Sequence, residues 1–186
     1  LTNIAVHKSV SKSYFEMRDK KFFETFVPDD VDTIDINTSG DHLRIARTGA
    51  RWKMLSPVER WSDSDSVGQL LETISTLRVQ QFVDNPEAAL DEFGLGESSI
   101  AKLTFSSGDS SVPTETDQLI LGSLVSDPRG GYVGVWGMDA DRKSTVMGLP
   151  LELLPELDRS ASSFWDRRMA IYERRLIDSV VVVTED

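Results

Sequence analysis

The residue types that catalyse reactions or bind metals are scarce in this chain. It has no cysteine, and its two histidines, His7 and His42, fall on different predicted elements. A zinc site needs several nitrogen, sulfur or carboxylate ligands at one point, so two separated histidines favour ordinary surface or strand positions. No Gly-x-Ser-x-Gly sequence is present, so nothing indicates the exposed nucleophile of a Ser-His-Asp triad. We therefore assign no catalytic, cofactor-binding or metal-binding residues.

The densest acidic group consists of Asp29, Asp30, Asp32 and Asp35. If residues 31–36 form a strand, Asp30 and Asp32 share one face and Asp35 points to the other. Calcium needs six or more converging oxygens, and no EF-hand pattern is present. We interpret the group as a solvated strand face, and a metal-assisted hydrolase that uses these aspartates is kept as an alternative function.

One tryptophan is a candidate for binding another molecule. Trp61 follows Arg60 in a polar stretch and is predicted to be exposed, whereas Trp52 and Trp165 lie on apolar faces and are predicted to be core residues. An exposed tryptophan has an apolar ring that can stack on a sugar. A carbohydrate-binding module that uses Trp61 is therefore a further alternative.

The only concentration of basic residues is near the C-terminus, in the pairs Arg167-Arg168 and Arg174-Arg175. The pairs are seven residues apart, so on a helix they share a face. That face could dock an acidic partner or simply balance neighbouring carboxylates. Together with Trp61, these four arginines are the predicted interaction residues.

Composition excludes several classes of protein. The 186 residues include 20 Lys and Arg against 31 Asp and Glu, a formal net charge of −11. An acidic chain without a basic stripe argues against nucleic acid as a partner. No apolar stretch approaches the ~18 residues of a membrane span, so we predict no membrane insertion within this sequence. The length is that of about one domain, large enough to need no metal or disulfide.

Hydrophobic patterning predicts α+β architecture with antiparallel strands. Three short strands with tight turns between them form a meander, and Pro57 ends it. Asp63 to Ser66 then provide a helix cap before apolar residues with helical spacing. The predicted strands are 31–36, 42–47, 51–55, 100–105, 118–121, 132–136, 144–147 and 179–184; the predicted helices are 11–24, 64–78, a short one that begins at Pro86, 150–157 and 161–175.

The two ends of the chain share a pattern. An aromatic pair, an acid, two bases and then a strand occur around Asp19 and again around Asp166. This echo predicts one full unit of a repeated module. Residues 1–28 would be the helical tail of a preceding repeat, 29–175 the main α+β domain, and 176–186 the opening strand of a following repeat. We expect residues 180–183 to pair with the domain's own sheet, beside residues 31–36, or with another copy of the chain.

Several motifs, in order, resemble the bacterial family catalogued as domain of unknown function 4340. The resemblance covers about residues 13–183. It rests on the meander, a helix with a Leu-Leu step, a Gly-Leu after a short acidic helix, a Leu-x-x-Gly turn, a Tyr-Val strand and an aromatic-Asp-Arg-Arg helix. In this sequence these are Val31-Asp32-x-Ile34-x-Ile36, Leu43-x-Ile45-x-Arg47, Gly49-x-x-Trp52-x-Met54-x-x-Pro57, Leu70-Leu71 with Leu77, Glu92-Phe93-Gly94-Leu95, Leu119–Gly122, Tyr132-Val133 and Trp165–Arg168.

The resemblance implies a non-enzymatic role and carries no catalytic residues with it. It implies an interaction or scaffolding domain of a bacterial cell-envelope protein, accessory to an ABC-type export or gliding system, with protein partners in the envelope. It also implies an extracytoplasmic location and a membrane anchor upstream of this sequence.

Overall fold

One antiparallel sheet of nine strands organises the described part of the chain. The computed structural model describes residues 17–86, 90–108, 115–126 and 132–168. The strands are β1 Thr33–Thr38, β2 His42–Thr48, β3 Arg51–Ser56, β4 Arg60–Trp61, β5 Gln81–Asp84, β6 Ala101–Ser107, β7 Glu115–Ser126, β8 Tyr132–Asp139 and β9 Thr145–Leu149. The helices are α1 Ser64–Ser75 and α2 Leu153–Leu157, with 3-10 turns at Pro28–Asp30, Leu90–Phe93 and Ala161–Phe164.

The strand order is β4-β3-β2-β1-β6-β7-β8-β9-β5, and every pairing is antiparallel. This confirms the predicted α+β class and the β1–β2–β3 meander. Ile34 of β1 lies opposite Ile45 on one side and Phe105 on the other. Both edges of β1 are therefore occupied by β2 and β6. The predicted pairing of residues 180–183, with this sheet or with another copy of the chain, lies outside the described residues.

Helix α1 covers one face of the sheet. The Asp63 side chain accepts a hydrogen bond from the Ser66 backbone N–H at 3.3 Å, which confirms the predicted cap. The predicted core residues of this helix, Leu70, Leu71, Ile74 and Leu77, are all buried. The helix ends at Ser75, three residues earlier than predicted, because residues 77–79 pair with residues 20–22 in an extended conformation.

The helix predicted over residues 11–24 is wrong beyond Met17 in its described part. From Arg18 onward the chain is non-helical, and Lys21 forms an antiparallel bridge with Arg78. The Phe22 backbone N–H donates to the Leu77 carbonyl at 3.0 Å, and Phe22 and Phe23 are buried in the main core. Tertiary pairing outweighs a helix propensity that no strong cap supports.

A second, smaller core lies on the opposite face of the sheet. It is built from Leu95, Met138 and Val146, over which the 3-10 turn Leu90–Phe93 packs. Gly94 ends that turn with φ of +68°, a left-handed conformation that favours glycine. The strand predicted over residues 100–105 is observed as β6, Ala101–Ser107, so Ile100 lies just before it and is 40 % exposed. Strand alternation aligns the buried Ala101, Leu103 and Phe105 instead.

The predicted turn at Gly122 is also wrong. Gly122 lies inside β7, at an irregularity of the β7–β8 pairing between Leu121 and Leu124. A β-bulge accommodates extra residues in one strand of a pair, so β7 continues through Gly122, where the sequence pattern predicts a turn. The strand predicted over residues 144–147 is observed as β9, Thr145–Leu149, which pairs with β8 and β5.

The helix predicted over residues 161–175 is wrong from Trp165 onward in its described part. The 3-10 turn Ala161–Phe164 is followed by a bridge between Trp165 and Ser62, and residues 166–168 are not helical. Residues 169–175 lie outside the described residues. The predicted domain boundaries at 28/29 and 175/176 stay predictions.

In the described part of the chain, none of the helices has both the length and the apolar character that a membrane crossing requires.

Candidate interaction surface

Trp61 lies at one edge of the sheet, on the two-residue strand β4. Its side chain is 38 % exposed, which confirms the predicted exposure, and Trp52 is buried as predicted. The Arg51 guanidinium carbon lies 4.0 Å from the centre of a Trp61 ring, and Lys53, opposite Trp61 on β3, places its Nζ 5.9 Å away. The indole is therefore held by cation–π contacts from the neighbouring strand.

The chain returns to this edge after the last 3-10 turn. The Asp166 backbone N–H donates to the Trp61 carbonyl at 3.0 Å, and the Asp63 N–H donates to the Phe164 carbonyl at 2.8 Å. The Arg60 guanidinium lies 4.4 Å from the centre of a Trp165 ring. This short pairing brings together two of the predicted interaction features, Trp61 and the Arg167-Arg168 pair. Trp165, predicted as core, is half-buried and packs against the core's rim.

Asp166 neutralises two of the surrounding arginines. Its carboxylate accepts two hydrogen bonds from the Arg168 guanidinium, both at 2.8 Å, one from the Arg168 backbone N–H at 3.0 Å, and one from Arg51 at 3.3 Å. The Arg168 hydrogen bonds, assisted by its charge and that of Arg51, lower the pKa of Asp166 from 3.8 to about 2. The same pairing raises the pKa of Arg168. Asp166 is therefore ionised under all ordinary conditions.

The remaining basic side chains at this edge differ in their pairing. Lys53 pairs with Glu59, which lowers the Glu59 pKa. Arg60 and Arg167 are exposed, and among the described residues neither has a carboxylate within ion-pair distance. The helical face predicted for the two arginine pairs is wrong at Arg167 and Arg168, because these residues are not helical. Arg174 and Arg175 lie outside the described residues.

Exposed apolar side chains accompany the arginines. Leu55 is 41 % exposed and Val58 is 48 % exposed, and both lie on the β3–β4 hairpin that carries Trp61. We call this edge of the sheet the β4 surface and define it by Leu55, Val58, Arg60, Trp61, Trp165 and Arg167. Arg60 lies opposite the buried Met54 and Trp61 opposite Lys53, so these two side chains leave opposite faces of β4. The sequence analysis did not identify Leu55, Val58 and Arg60 as interaction residues. The apolar residues on both sides of Pro57, in a predicted turn, were the pattern that could have indicated an exposed apolar hairpin.

The predicted aspartate group does not converge. Asp29 and Asp30 lie on a 3-10 turn, so Asp30 is not on the strand face assigned to it. Asp32 pairs with Arg47 at 3.3 Å, and Asp35 contacts His42 at 2.9 Å. Among the described residues, no group of three or more acidic or histidine side chains could hold a metal ion.

A larger cleft of about 1040 Å³ lies between the β1–β2 turn and the segment from Leu154 to Phe164. Its two basic side chains are already paired, His42 with Asp35 and Arg159 with Glu156 at 3.1 Å. Its floor is formed by buried side chains such as Leu43 and Phe164. Among the described residues that line it, the cleft therefore offers neither an unpaired basic side chain nor a pair of groups arranged for proton transfer.

A family model described as a domain of unknown function (DUF4340) matches residues 52–186, more than half of the chain. The chain belongs to the DUF4340 family. This confirms the family that the sequence motifs resemble, and the family description names no catalytic activity. Neither a curated protein nor a solved structure matches the chain. The match begins inside β3, although β1 and β2, which precede it, complete the same sheet.

The Gly-Leu motif of this DUF4340 chain has a structural role. A Cβ on Gly94 would lie 2.6 Å from the Ser123 backbone nitrogen, and one on Gly122 would lie 2.0 Å from the Phe93 carbonyl oxygen. Because neither glycine has a Cβ, the backbone of the turn can contact the backbone of β7 directly. Leu95, the next residue, packs in the second core. The motif that helped to identify the family therefore stabilises the fold and lies outside the β4 surface.

Proposed function

We propose that this DUF4340 domain is a non-catalytic interaction or scaffolding domain, and that a protein partner docks on the β4 surface. The observation that carries the proposal is the exposed Trp61 on a hairpin that also exposes the apolar side chains of Leu55 and Val58. Tryptophan and arginine are the residue types most enriched among energetically dominant interface residues. An exposed apolar patch rimmed by polar groups is typical of an interaction site.

The alternative functions have weaker support. A metal-assisted hydrolase needs converging ligands, whereas Asp32 and Asp35 are each paired with basic side chains of β2. A carbohydrate-binding module needs an open tryptophan face, whereas Arg51 covers one face of Trp61 at 4.0 Å. Both facts favour a protein partner over a sugar or a metal.

We further propose that the protein acts in the bacterial cell envelope, outside the cytoplasm, accessory to an ABC-type export or gliding system. The support is the family resemblance, and the absence of cysteine is compatible with an oxidising compartment. The test is a fusion of the full-length protein to a reporter enzyme that is active only outside the cytoplasm. Reporter activity supports the proposal, and activity only of a cytoplasmic reporter contradicts it.

We also propose that the domain is one unit of a repeated module. The support is local geometry: the Asp19 carboxylate accepts the Lys21 N–H at 3.0 Å, and the Asp166 carboxylate accepts the Arg168 N–H at 3.0 Å. Each turn lies beside a short antiparallel bridge, Lys21 with Arg78 and Trp165 with Ser62. The test is superposition of residues 14–36 on 163–184 in a crystal structure. A common backbone path supports the repeat, and a helix in only one segment contradicts it.

Site-specific crosslinking tests the docking proposal. A photoreactive amino acid replaces Val58 in the full-length protein, and a matched variant carries it at Val133, which is 50 % exposed. β8 lies six strand positions from β4, about 30 Å away. We expect a discrete crosslinked protein from position 58 and none from position 133. The same product from both positions, or none from position 58, contradicts docking at the β4 surface.

A further inference from the structure

The cleft between the β1–β2 turn and residues 154–164 has an apolar interior. Its floor includes Leu43, Leu157 and Phe164, all of which are buried. Two further apolar residues that line it are open to solvent, because Pro57 is exposed and Ile100 is 40 % exposed. A cleft of about 1040 Å³ with such a lining is suited to an occupant that buries apolar groups.

The charged side chains of the same cleft leave it negative. Arg159 pairs with Glu156 at 3.1 Å, and its guanidinium carbon lies 5.3 Å from the centre of the Phe164 ring. Asp41 and Asp158 also line the cleft and are exposed. Among the described residues, neither of these two carboxylates has an ion-pair partner. The cleft therefore presents two uncompensated negative charges beside an apolar floor.

We propose that this cleft binds a basic segment of a partner protein. Apolar side chains of the segment pack against the floor and Ile100, and its ammonium or guanidinium groups pair with Asp41 and Asp158. An amphipathic segment in an apolar groove is a common mode of protein recognition, and complementary charge at the rim selects the partner. The inference adds a second site and does not depend on docking at the β4 surface, because no residue that defines that surface lines the cleft.

Other occupants fit this cleft less well. Nucleic acid and anionic lipid headgroups bring further negative charge to Asp41 and Asp158. A second copy of the chain has a net charge of −11 and is repelled in the same way. A small organic amine matches the charge, but the cleft lies at the upper end of the volumes of small-molecule sites. Several side chains of a protein segment fill it more completely.

The test follows the Ile100 δ1-methyl signal by ¹³C NMR of the whole chain. The probe is a synthetic helical peptide with leucines on one face and lysines beside them. One control peptide has alanine in place of each leucine, and another has glutamate in place of each lysine. We expect only the lysine–leucine peptide to shift the Ile100 signal, with the shift weakened by added salt. The Ile120 signal should stay unchanged, because Ile120 packs against the second core on the opposite face.

Two pairs of variants test the chemistry of the site. Asp41→Asn/Asp158→Asn should bind the peptide about fivefold more weakly, because two exposed ion pairs are lost. Its matched control, Glu72→Gln/Asp141→Asn, removes the same charge from two exposed carboxylates that do not line the cleft, and should leave the affinity unchanged.

The second pair places a positive charge on an exposed apolar position. Ile100→Lys should weaken binding about tenfold, because it removes an apolar contact and repels the lysines of the peptide. Val133→Lys should leave binding unchanged, because Val133 is 50 % exposed and lies on β8, far from the cleft. The unfolding midpoint of each variant checks that it is folded.

Several outcomes would overturn the inference. These are equal binding of the alanine peptide, equal weakening in a variant and its matched control, and tighter binding of a free alkylamine than of the peptide. A concentration-dependent shift of Ile100 without peptide would instead make a second copy of the chain the occupant. If the peptide fails to bind, the basic-segment site is wrong, whereas docking at the β4 surface is decided separately by crosslinking from position 58.

Discussion

Replacing Gly122 with alanine should destabilise the domain through one backbone contact. The new Cβ would lie 2.0 Å from the Phe93 carbonyl oxygen and 2.9 Å from the Gly94 carbonyl carbon. A carbon and a carbonyl oxygen make ordinary contact at about 3.3 Å, so the two segments must separate by about 1.3 Å. Both sides of the contact are backbone, so no side chain can rotate to relieve the clash.

The cost follows from what the separation disturbs. The displaced turn carries Leu95, which is 4 % exposed and packs against Met138 and Val146. Forcing a methyl group into a tightly packed site costs about 1–3 kcal/mol. Exposing part of Leu95 costs further free energy. That cost is at most the roughly 1.5–3 kcal/mol gained by burying a whole aliphatic side chain. We expect the free energy of unfolding to fall by about 2 kcal/mol.

Urea unfolding followed by circular dichroism measures this change, and Gly68→Ala is its control. Gly68 lies within α1 with nothing within 4 Å of an added Cβ, so alanine there should stabilise by about 0.5–1 kcal/mol. A loss below about 0.5 kcal/mol for Gly122→Ala, with Gly68→Ala behaving as expected, would refute the assigned role of the glycine contact.

Three further predictions concern the core, metals and pH. Leu71→Ala and Ile74→Ala should each lower the free energy of unfolding by about 2–5 kcal/mol in urea titrations, since both side chains are buried; losses below about 0.5 kcal/mol would contradict the core assignment. Chelation with EDTA should leave the thermal midpoint unchanged, whereas a drop that calcium or zinc reverses would indicate a metal site. Asp166→Asn should lower the free energy of unfolding at neutral pH. Because the folded pKa of Asp166 is lowered from 3.8 to about 2, that deficit should shrink as pH falls through this interval; a pH-independent deficit would contradict the ion-pair account.

Elements with two agreeing local signals could be predicted from the sequence. Helix α1 combines a capping Asp63 with apolar residues at helical spacing, and β1 to β3 combine alternation with tight turns. The elements that were predicted wrongly are decided by distant partners. Phe22 is extended because its N–H bonds to Leu77, and Trp165 is extended because it bridges Ser62. No local pattern encodes either pairing.

The sequence predicted some residues of the candidate site but not how they are arranged. Trp61 and Arg167 were identified because their residue types stand out against polar or acidic surroundings. The sequence does not predict that these two residues lie close together, because their proximity depends on β4, a two-residue strand that is too short to show periodicity. The pairing of Asp166 with Arg51 likewise joins residues from opposite halves of the chain.

The most direct test of docking at the β4 surface is the crosslinking yield from position 58 when Trp61 is replaced by alanine. Trp61 is 38 % exposed, so the replacement should leave folding nearly intact, which the unfolding midpoint checks. We predict that Trp61→Ala lowers the yield of the crosslinked partner by about tenfold, as expected for an interface tryptophan, and that Arg78→Glu leaves it unchanged. An unchanged yield with Trp61→Ala, in a folded protein, would contradict the account.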